Sequence, residues 1–348
     1  MTRKEVAKLA GVSEATVSRV LNNVGPMREE TRVRVMKAAA ELGYEPNALA
    51  QQFARRRSGN IGVILPFVPK VHLFSTYYFS EILSGIGEAA QRLGYDLLLI
   101  FRDPEQLPDY AKLFRTQKVD ACILLGSRDV PEERTALAEM KREGHPFCLV
   151  NQRFPEESFL SVDANHVAGS RMATRHLLDR GYTRIAFLNG PLHYSNSRDR
   201  LEGYAAELAA AGIRLTEEWL LEGNYSRKSG YGFAKRVAER IASRSVDAVF
   251  AANDRMAIGL MQGLKELGLD AGRDYAIVGY DDSDGSRLTS PGLTSVAVPF
   301  YEMGTMAAER VLEGLADAGR FKAPDIEGLA GEGHAYLLPV SLKARESS

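Results

Sequence analysis

Residues 3–21, RKEVAKLAGVSEATVSRVL, read as two short helices joined at Gly11-Val12-Ser13. In the first half Val6, Leu9 and Ala10 fall at i, i+3 and i+4, and in the second Val17, Val20 and Leu21 repeat the spacing. Each half therefore carries one apolar stripe, and the two stripes can face one small core. Gly11 suits the left-handed conformation that ends a helix, and the Ser13 hydroxyl suits the free amides that open the next. This is the grammar of a helix-turn-helix, whose second helix lies in the DNA major groove. It sets Glu14 and Ala15, and one turn on Arg19, toward base edges. Arg19 offers a guanidinium fork to guanine and Glu14 an acceptor to cytosine N4, although Glu14 equally suits the positive end of its own helix. Ser13, Thr16, Ser18, Asn22 and Thr31 have the short polar side chains that contact phosphates, positioning the module rather than specifying sequence.

A third helix is expected from about Glu29 to Leu42, with Val33, Met36, Ala39 and Ala40 as its stripe. Gly43-Tyr44-Glu45-Pro46 ends it, because Gly caps a helix and Pro disfavours helix in the residue before it. Asn47 then suits the cap of ALAQQFARR, a segment with helix formers but too short to be stable alone in water. A basic join, Arg55-Arg56-Arg57-Ser58-Gly59, follows. Net charge over the chain is −1, but residues 1–60 hold eleven Lys/Arg against six Glu, giving +5 and leaving −6 for the remainder. A small basic module on an acidic body is the asymmetry expected when one part meets nucleic acid.

Cys122 and Cys148 sit in apolar runs without CxxC spacing, which predicts buried free thiols and a reducing compartment. The six histidines (72, 145, 166, 176, 193 and 334) show no metal-ligand spacing, and no cofactor is expected. No 18-residue apolar run occurs and charges stand where a signal peptide needs its apolar core, so a cytoplasmic protein without a membrane partner is expected.

From Ile61 the pattern alternates between strands and helices, which predicts parallel sheets layered with helices. The strand candidates are 61–65, 96–101, 119–125, 147–150, 184–189, 248–252 and 276–280. A recurring helix, Gly cap, strand unit (RLGYDLLLI, DRGYTRIAFL, KELGLDAGRDYAIVGY) suggests two similar lobes. In open parallel sheets ligands sit beyond the C-terminal strand ends, and here those ends are polar: Asn151-Gln152-Arg153, Asn253-Asp254 and Asp281-Asp282, with Arg198-Asp199-Arg200 opening a helix after 184–189. Amides, a carboxylate and a guanidinium fork converging on one cleft suit a polyol. Tyr78, Phe79, Tyr225 and Phe300 could cover the apolar faces of a sugar ring. Arg153 adds a second positive group, which also suits a sugar acid or phosphate. For Asp254, Asp282 and Arg198, helix capping and ion pairing are the preferred roles.

The runs VAKLAGVSEATVSRVLNN (6–23) and EETRVRVMKAAAELGYEPNALAQQFARRRSGNIGVILP (29–66) resemble the N-terminus of the lactose/galactose repressor (LacI/GalR) family, and the resemblance continues through nearly all of the chain. It implies a helix-turn-helix domain over 1–46, a hinge helix and linker over 47–60, and a periplasmic-binding-protein-like body over 61–348. That body would comprise two doubly wound parallel-sheet subdomains, about 61–160 plus 293–324 and about 161–292 plus 325–348, with crossings near 160, 292 and 325. The hinge helix would enter the minor groove of a dimer's operator through Asn47, Ala50 and Phe53. Relatives usually have Leu where this chain has Phe53, and minor-groove proteins use both as wedges. Arg28 stands where relatives often have a small helix-capping residue. The implied effector positions are Tyr78, Phe79, Ile82, Asn151, Asn196, Arg200, Tyr225, Asn253, Asp281 and Phe300. Asn151 replaces the more usual carboxylate.

Phosphate-loop, dinucleotide-binding, nucleophile-elbow and H-E-x-x-H signatures are all absent, so no catalytic residues are expected. A free-standing sugar receptor would have no helix-turn-helix. The expected protein is a homodimeric repressor of carbohydrate-utilisation genes, bound to a palindromic operator and released by a sugar-type effector. A corepressor-type regulator with a non-sugar ligand is the alternative.

Overall fold

The computed structural model describes residues 1–22, 25–45, 57–68, 73–103, 105–313, 315 and 335–348. The N-terminal module consists of α1 (Arg3–Ala10), α2 (Glu14–Leu21) and α3 (Glu29–Glu41). Thr2 and Glu5 cap α1 reciprocally, the Thr2 N–H donating to Glu5 Oε2 at 2.7 Å. Gly11 ends α1 with φ 65°, and Ser13 Oγ opens α2 by accepting from the Thr16 N–H at 3.1 Å. Val6, Ala7, Ala10, Val17, Val20, Val35, Ala38 and Ala39 form the buried core of the three helices.

That core corrects the expected stripes. Leu9, Val33 and Met36 are exposed, and α3 turns Val35, Ala38 and Ala39 inward with Leu42 packed beside them. Apolar residues occupy two faces of α3, roughly 140° apart on a helix of 3.6 residues per turn. Docking against α1 and α2 decides which face is buried. Arg28 opens α3 with no side-chain cap. Asn47, Ala50 and Phe53 lie outside the described residues.

The body begins with β1 (Asn60–Pro66), α4 (Tyr77–Leu93), β2 (Asp96–Arg102), α5 (Ala111–Arg115), β3 (Ala121–Leu125), α6 (Pro131–Arg142), β4 (Phe147–Val150) and β5 (Ser161–Ala164). It continues through α7 (His166–Asp179), β6 (Ile185–Asn189), α8 (Ser195–Ala210), β7 (Leu220–Glu222), α9 (Arg227–Gly232), α10 (Ala234–Ala242), β8 (Ala248–Ala251), α11 (Asp254–Glu266), β9 (Ala276–Asp281), α12 (Asp284–Leu288) and β10 (Thr294–Ala297). It closes with α13 (Phe300–Glu313), β11 (Ala335–Leu338) and β12 (Ser341–Lys343). The first sheet has the order β11-β5-β4-β3-β1-β2 and the second β12-β10-β9-β8-β6-β7. Among the described residues the strand pairings are parallel except that of β10 with β12. Interior strands such as ACILL (β3) and IAFLN (β6) are buried at every residue, as strands covered on both faces by helices require.

The sheets place the lobe crossings at other positions than 160, 292 and 325. The chain passes between lobes after Ala164, after Ala297 and between Leu338 and Ser341. Residues 161–164 and 335–338 thus belong to the first sheet, and 294–297 to the second. SVDA and TSVA are four-residue strands with a polar residue inside, so neither shows the apolar run that marks a strand in sequence.

Helices α4 and α13 run side by side in the first lobe, and they approach through glycine. A Cβ on Gly85 would stand 2.0 Å from the Tyr301 carbonyl, and one on Gly304 2.2 Å from that of Ile82. This close packing sets the two helix N-termini together, bringing Tyr77 and Tyr78 beside Phe300, with Phe79 against Tyr78. No helix among the described residues is long and apolar enough to cross a membrane.

Candidate functional site

A cavity of about 600 Å³ opens where the C-terminal strand ends of the two sheets face each other, the position where ligands bind in open parallel sheets. Tyr78, Phe79, Asn151 and Phe300 reach it from the first lobe, and Asn196, Arg200, Tyr225, Asn253 and Asp281 from the second. The Tyr78 ring stands edge-on to Phe79 and Phe300, with centroids 4.7 and 5.1 Å apart. These rings form an apolar wall opposite the polar residues of the second lobe.

Two of the expected residues do not reach the cavity. Ile82 is fully buried between α4 and α13, one helical turn behind Tyr78. Arg153 turns away, donating from Nε to Asp163 at 2.9 Å and pairing with Asp199 on α8. It ties the lobes together, and its charge is spent there. Asp254, Asp282 and Arg198 take the structural roles preferred for them. Asp254 accepts from the Ser283 N–H at 2.7 Å and from Ser295 Oγ at 2.6 Å, Asp282 pairs with Arg287 and Arg345, and Arg198 pairs with Asp129 across the lobes at 3.1 Å.

Most polar groups on the cavity wall are already engaged. Asn253 caps α11 through the Met256 N–H at 2.9 Å and donates to the Tyr225 carbonyl at 3.0 Å. Tyr225 OH donates to Asn196 Oδ1 at 2.9 Å, and Asn196 Nδ2 donates to the Asn151 carbonyl at 3.1 Å. The backbone pays locally for this arrangement: Asn151 (φ 60°), Tyr225 (φ 64°) and Asp281 (φ 108°) all lie at positive φ, at a cost of roughly 1–3 kcal/mol each.

Asp281 and Arg200 differ from their neighbours. Among the described residues no donor reaches the Asp281 carboxylate. Burial pushes its pKa well above the usual carboxylate range, against the pull of Arg200 and with a further push from Asp254. Arg200 is 2% exposed. Its Nη1 donates to the Ala252 carbonyl at 2.9 Å, its guanidinium lies 4.1 Å from the Tyr280 ring centre, and its Nε has no hydrogen-bond partner among the described residues.

Behind the wall His166 joins the lobes, a residue the sequence reading did not single out. Its Nε2 lies 2.7 Å from Asn151 Oδ1 and 3.2 Å from Asp163 Oδ1. Its Nδ1 lies 3.1 Å from Tyr280 OH and 3.4 Å from Arg200 Nη2. Burial, then the Arg200 charge, lowers its pKa to about 4, so the ring is neutral near pH 7. Neutral imidazole has one N–H, which belongs on Nε2, facing two acceptor oxygens. Nδ1 then accepts from Tyr280. Gln152, Ser127, Arg128, Tyr194 and Arg255 also line the cavity. Ser127 and Arg128 stand two and three residues beyond β3, on the rim where β4, β8 and β9 also end.

In the N-terminal module Glu14, Ala15 and Arg19 are exposed on α2, with Glu14 3.8 Å from Arg3. Ser13 and Thr16 hydroxyls lie 2.9 Å apart, and Asn22 Nδ2 donates to Ser18 Oγ at 3.2 Å, so these four side chains are held in pairs at the two ends of α2. Thr31 is half-exposed in the first turn of α3.

The model of bacterial regulatory proteins of the lacI family matches residues 2–47, and that of the periplasmic binding protein-like domain matches residues 174–348. Over 320 residues the chain is 33% identical to the HTH-type transcriptional repressor PurR of Vibrio vulnificus, covering 91% of this chain and 92% of that one. It is similar to the Lac repressor dimer bound to operator and the anti-inducer ONPF, with a TM-score of 0.80 and 29% identity over 100% of this chain and 98% of that one. It is also similar to the transcriptional regulator CelR in complex with cellobiose, with a TM-score of 0.73 and 30% identity over 100% of both chains.

Proposed function

We propose, on the premise that this chain belongs to the lacI family of bacterial regulatory proteins and is a helix-turn-helix transcriptional repressor rather than an enzyme, that it binds a pseudo-palindromic operator as a homodimer and is released by a sugar-type effector. Residues 1–46 read the operator, 47–60 connect, and 61–348 bind the effector and dimerise. The observation that carries the effector class is the Asp281 carboxylate, buried in the cavity with no donor among the described residues. Such a group needs a ligand with adjacent O–H donors, and the aromatic wall at Tyr78, Phe79 and Phe300 suits the C–H faces of a sugar ring. The cellobiose complex of a similar regulator supports that reading. Closing the lobes on such a ligand changes the spacing of the two connecting segments, and with it the fit to DNA.

Two experiments test this. In a footprint of the DNA upstream of its own gene at low salt, the protein should protect a two-fold-related pair of half-sites, and a cognate sugar should remove the protection. Arg19→Ala should lose ~1–3 kcal/mol of discrimination at one base pair per half-site; an unchanged preference there would remove Arg19 from base reading.

The dimer reading is supported by β2, an edge strand whose Leu99 and Phe101 are exposed beside Phe67 and Phe74. An apolar sheet edge of this kind is one that proteins normally cover. Phe101→Glu is expected to shift the molecular mass measured by light scattering from two chains toward one and to weaken operator binding in parallel. A dimeric variant with full affinity would place the interface elsewhere.

A further inference from the structure

The cavity wall carries four arginines, Arg102, Arg128, Arg200 and Arg255, against two carboxylates, Glu105 and Asp281. Arg102 is neutralised by buried Glu133, its Nη2 donating to Oε2 at 2.8 Å. Arg200 and Arg255 are not: no carboxylate among the described residues lies within ion-pair distance of either. Asp281 acts on both from further away, and among the described residues it is the acid that opposes the desolvation of Arg255. Arg255 stands in the first turn of α11, next to Asp254, and is half-buried against the cavity. Burial lowers its pKa, opposed by Asp281, as expected of a cation drawn out of water without a close partner.

A neutral polyol would satisfy Asp281 but give the two arginines only hydroxyl acceptors. A carboxylate or phosphate forms charge-assisted and often bidentate bonds to a guanidinium, roughly twice as strong as neutral ones. A bare anion would serve the arginines and leave Asp281 without donors. The two needs are met together by one molecule bearing both groups.

Building on the sugar-type reading above, we infer that the effector is a polyhydroxylated acid, whose carboxylate or phosphate is held by Arg255 with Arg200 and whose hydroxyls are taken by Asp281. Arg255 is then the residue that selects charged over neutral sugars.

The test is calorimetric titration of the full chain with matched sets: neutral aldoses, the corresponding aldonic and uronic acids, the corresponding sugar phosphates, and dicarboxylates without hydroxyls. In the wild type an acid or a phosphate should bind at least tenfold tighter than its neutral parent, and the carboxylate and phosphate arms decide which anion is used. Arg255→Gln should erase that preference while leaving the thermal midpoint of the ligand-free protein within a degree or two, and Arg255→Lys should restore part of it. Equal binding of neutral and charged partners, or an equal loss of both in Arg255→Gln, overturns the inference while leaving the sugar reading intact. Dicarboxylates binding as tightly as the polyol acids, in a manner indifferent to Asp281→Asn, overturns the sugar reading instead.

Discussion

Replacing Asp281 with asparagine is expected to lower effector affinity by a hundredfold or more while leaving the free protein at least as stable. The affinity loss follows from the bonds the carboxylate supplies. Hydrogen bonds to a charged group contribute about 1.5–3 kcal/mol each, and a carboxylate accepting two ligand hydroxyls has two of them to lose. The stability gain follows from the free state, in which that carboxylate is buried and receives no donor from the described residues. Its folded pKa lies above its unfolded value, so its contribution to stability is present at low pH and is lost as pH rises through the folded pKa. Asparagine does not titrate, so the variant's advantage in thermal midpoint should widen between about pH 4 and neutrality. Asparagine has the same shape as aspartate, so it meets the positive φ of 108° at this position on equal terms. Calorimetry with the cognate effector gives the first number and thermal melts across pH the second. A variant that binds normally removes Asp281 from the site, and one that melts earlier at pH 7 shows that the carboxylate is satisfied in solution.

The parts of this site legible in the sequence share one feature: they stand immediately after an apolar strand or open the helix that follows it. Asp281 ends AIVGYD, Asn253 follows AVFAA, and Arg200 lies in the first turns of α8. Sequence position then fixes spatial position, because parallel strands deliver their C-terminal ends to one rim. Arg153 lies on the same rim and fails, since a side chain three residues beyond β4 is free to choose between the cavity and a buried carboxylate, and Asp163 with Asp199 wins. Ile82, a position implied by the resemblance alone, does not reach the cavity because its face of α4 meets α13, which periodicity along one helix does not reveal. The same ambiguity turned α3 to its other apolar face, exposing Val33 and Met36. Asp163 and His166 are invisible in sequence for a different reason. Each is an ordinary polar residue at a chain crossing, and only the meeting of β4, β5, α8 and β9 around them gives them partners. Asp163 also disguises β5, which is why the first crossing falls later than the sequence suggests.

Replacing His166 with leucine is expected to destabilise the protein by roughly 3 kcal/mol or more at pH 7, on the scale of breaking a buried polar network by removing one partner. Leucine would leave Asn151 Oδ1, Tyr280 OH and the Asp163 carboxylate short of a partner at once, and effector binding should weaken too, because Asn151 and Arg200 lose the ring that holds them. A merely structural histidine would give the first effect, so pH separates the readings. The folded pKa of His166, about 4, lies below the ordinary histidine value of 6.5, so the neutral ring contributes stability above pH 6.5 that is lost as pH falls toward 4. Asp163, which burial raises but the His166 hydrogen bond and Arg153 hold low, also loses its contribution as pH falls. Two groups work the other way. Burial raises Asp199 to about 6 despite Arg153, and Asp254 to about 7 despite its serine donors, so their contributions are lost as pH rises. The wild-type profile mixes these opposing slopes, and the informative quantity is the difference between wild type and His166→Gln. Glutamine can keep one donor and one acceptor in place but does not titrate between pH 4 and 7. Its stability relative to wild type should therefore rise steadily as pH falls from 6.5 to 4, on the order of 3 kcal/mol in total, and its effector affinity at pH 7 should lie between those of wild type and leucine variant. A difference that stays flat across this window would mean that His166 is already charged in the folded protein, and that Asp163, rather than Asn151 and Tyr280, is the partner that holds it between the lobes.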